Sequence, residues 1–85
     1  MPRSPTLSQL GTGVQARVAA LRAPAGHPAW QQQLEDLGFL PGETVRVLRR
    51  SLFGGDRLVV RLGAGATIAL RAAEAACVLV APVPA

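Results

Sequence analysis

Eighty-five residues make one small domain, with enough chain for a single thin core and too little for a deep substrate cavity as well. The hydrophobic share is 49%, yet the aromatics are only Trp30, Phe39 and Phe53, so the core has to be aliphatic, built from Val, Leu and Ala. The net charge of +4 is carried entirely by arginine, and the lone Cys77 excludes an internal disulfide.

Met1–Gln9 shows no apolar signal-peptide core, and the uncharged run Ala75–Pro84 is half of the about twenty residues a bilayer helix needs. The expectation is a soluble, cytoplasmic domain over residues 6–81 with loose tails at 1–5 and 82–85.

In chain order, Thr6-Leu7-Ser8-Gln9-Leu10 reads as one capped helical turn with Leu7 and Leu10 on one side, closed by Gly11-Thr12-Gly13. Val14–Leu21 reads as the first strand, with Val14, Ala16 and Val18 inward and Gln15 and Arg17 outward. The alternation slips at Ala19-Ala20, where a bulge would return Leu21 to the core. Ala23–Pro28 is a loop rich in Pro and Gly. A helix follows over Ala29–Leu37, with Trp30, Leu34 and Leu37 on the face that packs onto the sheet or, alternatively, borders a groove for a partner peptide.

Gly38 closes that helix in a left-handed conformation, and Pro41-Gly42 is a type II turn. The second strand spans Thr44–Arg50. Ser51–Asp56 is a turn-forming loop, and the third strand, Arg57–Leu62, points Leu58, Val60 and Leu62 inward and Arg57, Val59 and Arg61 outward. Gly63-Ala64-Gly65 makes a hairpin into a fourth strand, Ala66–Leu70. A helical turn, Arg71–Ala75, leads to a last strand, Cys77–Val80, which Pro82 and Pro84 should stop. Five short strands with glycine-rich turns and one inserted helix imply a mainly β fold, a small and partly open SH3-like barrel.

Chemistry is sparse. His27, Cys77, Asp36, Asp56 and Glu74 are the side chains able to hold a metal, but no pair has ligand spacing such as C-x-x-C or H-x-x-x-H. Cys77 opens an apolar run and reads as a small buried hydrophobe, and His27 as an exposed loop residue. No metal site, cofactor or enzymatic activity is therefore expected, and there is no GxxxxGK[ST] phosphate loop. The arginines are scattered along the chain, with only Arg49 and Arg50 adjacent, which weakens a nucleic-acid reading. Leu52 and Phe53 are the apolar residues expected at the surface, the alternative being that Phe53 folds back over an open barrel end. Arg71 either pairs with Glu74 at i,i+3 or faces a partner.

Several segments together resemble the FeoA family, small cytosolic partners of the bacterial ferrous-iron transporter FeoB. They are Leu7-Ser8-Gln9-Leu10 before a glycine turn, Leu34-Glu35-Asp36-Leu37-Gly38-Phe39-Leu40-Pro41-Gly42, Val45-Arg46-Val47, and Ile68-Ala69-Leu70-Arg71 followed by Ala73-Glu74-Ala75. Two departures stand out. The family's Ala-Pro-Leu-Gly-Asp-Pro between strands two and three is replaced by Ser51-Leu52-Phe53-Gly54-Gly55-Asp56-Arg57, and its basic residues before Leu34 by Gln31-Gln32-Gln33. The resemblance implies an SH3-like accessory domain that binds the cytoplasmic region of a FeoB-type GTPase transporter without inserting in the membrane. The candidate contacts are Leu52, Phe53, Gly54, Gly55, Asp56, Arg57 and Arg71. The same domain type ends DtxR-class repressors, but those need a DNA-binding region upstream, and thirteen residues precede the first strand here. The rival reading is a basic small barrel that binds nucleic acid, which requires the arginines to gather on one face beside stacking aromatics.

Overall fold

Five runs in which every second residue is apolar set the architecture. In the computed structural model, which describes residues 5–51 and 56–83, they form β1 (Gln15–Leu21), β2 (Thr44–Arg50), β3 (Arg57–Leu62), β4 (Ala66–Arg71) and β5 (Val78–Pro82). Helix α1 (Ala29–Leu37) joins β1 to β2, α2 (Ala72–Ala75) joins β4 to β5, and a 3-10 turn over Leu7–Gln9 precedes β1. The strands pair antiparallel in the order β4-β3-β2-β1-β5, so the curled sheet stays open between β4 and β5. This is the expected mainly β, SH3-like architecture.

The inward residues alternate as the pattern requires. Ala16 and Val18, Val45 and Val47, Leu58, Val60 and Leu62, and Val78 and Val80 are all buried, and among the described residues no polar or charged one is. Leu7, Leu34, Phe39, Ala75 and Cys77 close the core around them. The bulge expected in β1 is present as a register shift between Val18 and Ala20 against β5, and Leu21 packs on the core beyond it. A second register shift, between Val47 and Arg49 against β3, had no counterpart in the sequence reading.

Three expectations fail. Val14 precedes the strand and is 44% exposed. Leu37 is 48% exposed, because the chain turns at Gly38 (φ 112°) and sends Phe39 into the core in its place. The Phe39 N–H donates to the Leu34 carbonyl (3.0 Å) and the Gly38 N–H to that of Glu35 (2.9 Å), a Schellman closure with its customary apolar contact between Leu34 and Phe39 positions. Finally, β5 runs through Pro82, which pairs with Ala16. β5 is a sheet edge, where a missing N–H is tolerated. Pro5 is held against this edge, since the Val80 N–H donates to its carbonyl at 2.9 Å.

Candidate functional site

Among the expected contact residues, Leu52, Phe53, Gly54 and Gly55 lie outside the described residues. The other three meet at one end of the β3–β4 hairpin. Arg57 and Arg71 are directly opposite each other in the ladder, fourteen positions apart in sequence. Asp56 precedes them, its backbone carbonyl accepting from the Ala72 N–H at 2.5 Å, which fastens the start of α2 to the start of β3. Glu74 reaches back to Arg71 through the backbone: its Oε1 accepts the Arg71 N–H at 2.9 Å, capping the short helix. The ladder register puts the exposed Arg71 on the outer face of the sheet, opposite Arg57.

That pair belongs to a larger set that the linear sequence conceals. Arg46 on β2 stands opposite Arg61 on β3, and Arg49 opposite Val59. Val59 lies between Arg57 and Arg61 on the same strand face, since alternate residues share a face. The register shift in β2 matters here. Plain alternation from Val47 would turn Arg49 inward. The extra residue, Leu48, places Arg49 level with Val59 instead, and turns Arg50 toward the core end of the barrel. There the Arg50 Nη2 donates to the Ser8 carbonyl (2.9 Å) and to that of Leu10, binding the 3-10 turn to β2.

The result is a face of five exposed arginines, Arg46, Arg49, Arg57, Arg61 and Arg71, around the half-buried Val59. Arg46 and Arg61 also border a surface depression of about 210 Å³, together with Gln15 and Gly63. Gln15, opposite Arg46 on β1, accepts from its Nη2 at 3.0 Å. The scattering of arginines along the chain is thus undone by strand pairing. The outward assignment of Arg57 and Arg61 was the available signal, whereas Arg49 depends on a bulge.

The metal candidates do not converge: among the described residues there is no group of three or more His, Cys, Asp or Glu able to hold an ion. His27 is stacked on Trp30, ring centroids 4.4 Å apart, at the start of α1. Cys77 is buried and its Sγ donates to the Ala73 carbonyl at 3.4 Å. Burial pushes its thiol above the ordinary range, and the nearby Glu74 carboxylate adds to the shift. No helix among the described residues is long and apolar enough to cross a membrane.

Comparison with known proteins decides the family. The FeoA domain model matches residues 6–82. The chain belongs to the FeoA family. A Stenotrophomonas maltophilia FeoA crystallised with zinc is 35% identical over 91% of this chain and 89% of its own, with a TM-score of 0.79. That protein is described as an SH3-domain protein and a candidate activating factor of bacterial ferrous iron transport. The FeoA of Chlorobium tepidum is 31% identical, covering 94% of this chain and 71% of its own, at a TM-score of 0.80. A manganese-dependent transcriptional repressor shares the fold at a TM-score of 0.81, with 22% identity and 38% of its own length matched. A comparison with curated protein sequences gives no significant match.

Proposed function

We propose that this FeoA-family domain is an accessory of ferrous iron uptake that acts in the cytoplasm, docking on the cytoplasmic region of a FeoB-type GTPase transporter. It acts through surface contacts, modulating the nucleotide cycle or assembly of that partner, and contributes no chemistry of its own. The observation that carries this reading is the family match over 6–82, almost the whole chain. The similarity to a relative described as a candidate activator of ferrous iron transport supports the same reading. The small barrel has room for a binding surface and little else, since its interior is filled by side chains of the core.

The contacts assigned to this docking are Asp56, Arg57 and Arg71 at the hairpin end. Leu52, Phe53, Gly54 and Gly55 enter from sequence alone, as an apolar and glycine-rich segment leading into Arg57. Calorimetry with the soluble domain of the cognate transporter tests the assignment. Wild type should bind, and Phe53→Asp and Arg57→Glu should each weaken binding about ten-fold or more, the loss typical of an interface hot spot. Unchanged binding by both variants removes the contact assignment. Failure of the wild-type domain to bind any cytoplasmic part of the transporter overturns the function.

A further inference from the structure

We infer that the outer face of β2, β3 and β4 is a docking surface for an acidic protein segment, with carboxylates seated on Arg46, Arg61 and their arginine neighbours around Val59. Binding proteins of this size carry function on their surface, and this face gathers five of the nine arginines of the chain. Two of its arginine pairs, Arg46–Arg61 and Arg57–Arg71, are directly opposed across the ladder. Like charges so placed destabilise a sheet. Nothing in the sheet offsets them: none of the five strands contains an aspartate or glutamate. Outside the strands, the Glu43 carboxylate lies beside Gly63 at the edge of the depression and accepts the Thr44 N–H (3.1 Å). A partner bearing carboxylates relieves the repulsion on binding, and guanidinium forks donate to such groups two hydrogen bonds at a time.

The same face argues for protein over the other polyanions. Its centre is apolar, with Val59 half-buried and Leu48 37% exposed, and its rim is arginine, the arrangement of a protein–protein interface. Arginine is enriched and lysine depleted in such interfaces, and this chain has no lysine. Single-stranded nucleic acid is held by stacking on aromatics, and the five strands contain none. An anionic bilayer attracts any basic patch without requiring an apolar centre.

The inference rests on the reading of the domain as a binding module, but not on the transporter as its partner. The test is fluorescence anisotropy with the full chain and three probes. These are a short labelled peptide rich in Asp and Glu around a central Leu, a labelled oligothymidylate, and phosphatidylcholine–phosphatidylglycerol vesicles. The peptide should bind most tightly, and weaken roughly ten-fold as salt rises from about 50 to 300 mM. Arg61→Glu should lose about ten-fold or more of that affinity, and Arg22→Glu, an equal charge change in the loop after β1, less than about three-fold. Because Arg61→Glu turns an opposed like-charge pair into an attractive one, its melting temperature should rise by about 2–4 °C while binding is lost.

Equal losses in the two variants would reduce the effect to net charge and overturn the proposal. So would a lowered melting temperature in Arg61→Glu, which would assign that arginine to the fold. Tighter binding of the oligonucleotide or the vesicles replaces the protein occupant with that one and equally overturns it. If the transporter domain does not bind but the peptide does with the expected Arg61 dependence, only the identity of the partner changes. If the transporter domain binds and Arg61→Glu binds it and the peptide as wild type does, this face is excluded while the function stands.

Discussion

Gly38 shows how much of this fold hangs on one residue. Its φ of 112° suits glycine, and a Cβ there would come within 2.9 Å of the Leu62 side chain, itself part of the core. Gly42 has a similar φ of 91° but open space around it. The two positions separate backbone strain from overpacking. Gly42→Ala should cost about 1–2 kcal/mol, the left-handed penalty alone. Gly38→Ala adds a core clash and should cost about 2–4 kcal/mol. Urea midpoints of the two variants check this, and equal midpoints would mean that Leu62 yields without cost. Cys77 makes a second test at this scale. Its thiol is held above the ordinary range by burial and by Glu74, so the unfolded chain loses that proton first as pH rises. The stabilisation is complete below the ordinary thiol range and fades as pH climbs through the raised folded value. At pH 8, thiol labelling by a disulfide reagent should therefore be slow in the folded protein and immediate in denaturant. Cys77→Ala should flatten the alkaline decline of stability.

At the scale of elements, the 3-10 turn over Leu7–Gln9 is held from outside itself. Within the turn, the Thr6 N–H donates to the Gln9 side chain (2.9 Å), and from outside, Arg50 donates to the Ser8 and Leu10 carbonyls. Arg50→Ala should cost about 1–2 kcal/mol, moderated by solvent around the guanidinium. It should also speed hydrogen exchange at the Leu10 amide, which donates to Leu7 within the turn. Unchanged exchange there would show that Leu7, fully buried, anchors the turn without help. The Arg50 contact also marks where sequence reading stops. The strands, α1 and the β1 bulge were legible because periodicity and glycine turns are local signals: Arg57–Leu62 places Leu58, Val60 and Leu62 at alternate positions, and Gly38 ends its helix where expected. The bulge at Leu48 leaves only an ambiguous mark. Val47-Leu48 and Arg49-Arg50 break the apolar–polar alternation of Thr44–Arg50, but a strand end produces the same break, so only pairing with β3 shows that the register slips and that Arg49 and Arg50 exchange faces. For the same reason the pairs Arg46–Arg61 and Arg57–Arg71 were invisible, each being fixed by a hairpin register and not by spacing along the chain. Leu37 and Phe39 trade places because a left-handed turn redirects the chain toward the core, which helical periodicity does not anticipate.

Across the whole molecule, charge is segregated by element type. Seven of the nine arginines lie in the strands, while all five carboxylates (Glu35, Asp36, Glu43, Asp56 and Glu74) lie in helices and turns. The sheet is therefore a concentrated positive field, and its repulsion acts over distances set by salt. The Debye length is about 30 Å in 10 mM salt, comparable to the longest extent of the molecule, 34 Å. By about 0.5 M it has shrunk to roughly 4 Å, shorter than the spacing of neighbouring strands. Screening should then favour the folded state, because folding is what brings the arginines together. The melting temperature in sodium chloride should rise by about 3–6 °C between those two concentrations, the equivalent of under ~1 kcal/mol for a domain of this size. Chloride is the appropriate salt, since sulfate stabilises by exclusion from protein surface regardless of charge. Arg61→Glu should start from a higher melting temperature and show a shallower rise. A melting temperature that falls with chloride would mean that attraction between the arginines and the turn carboxylates outweighs repulsion within the sheet. The opposed arginine pairs would then carry no strain for an acidic partner to relieve.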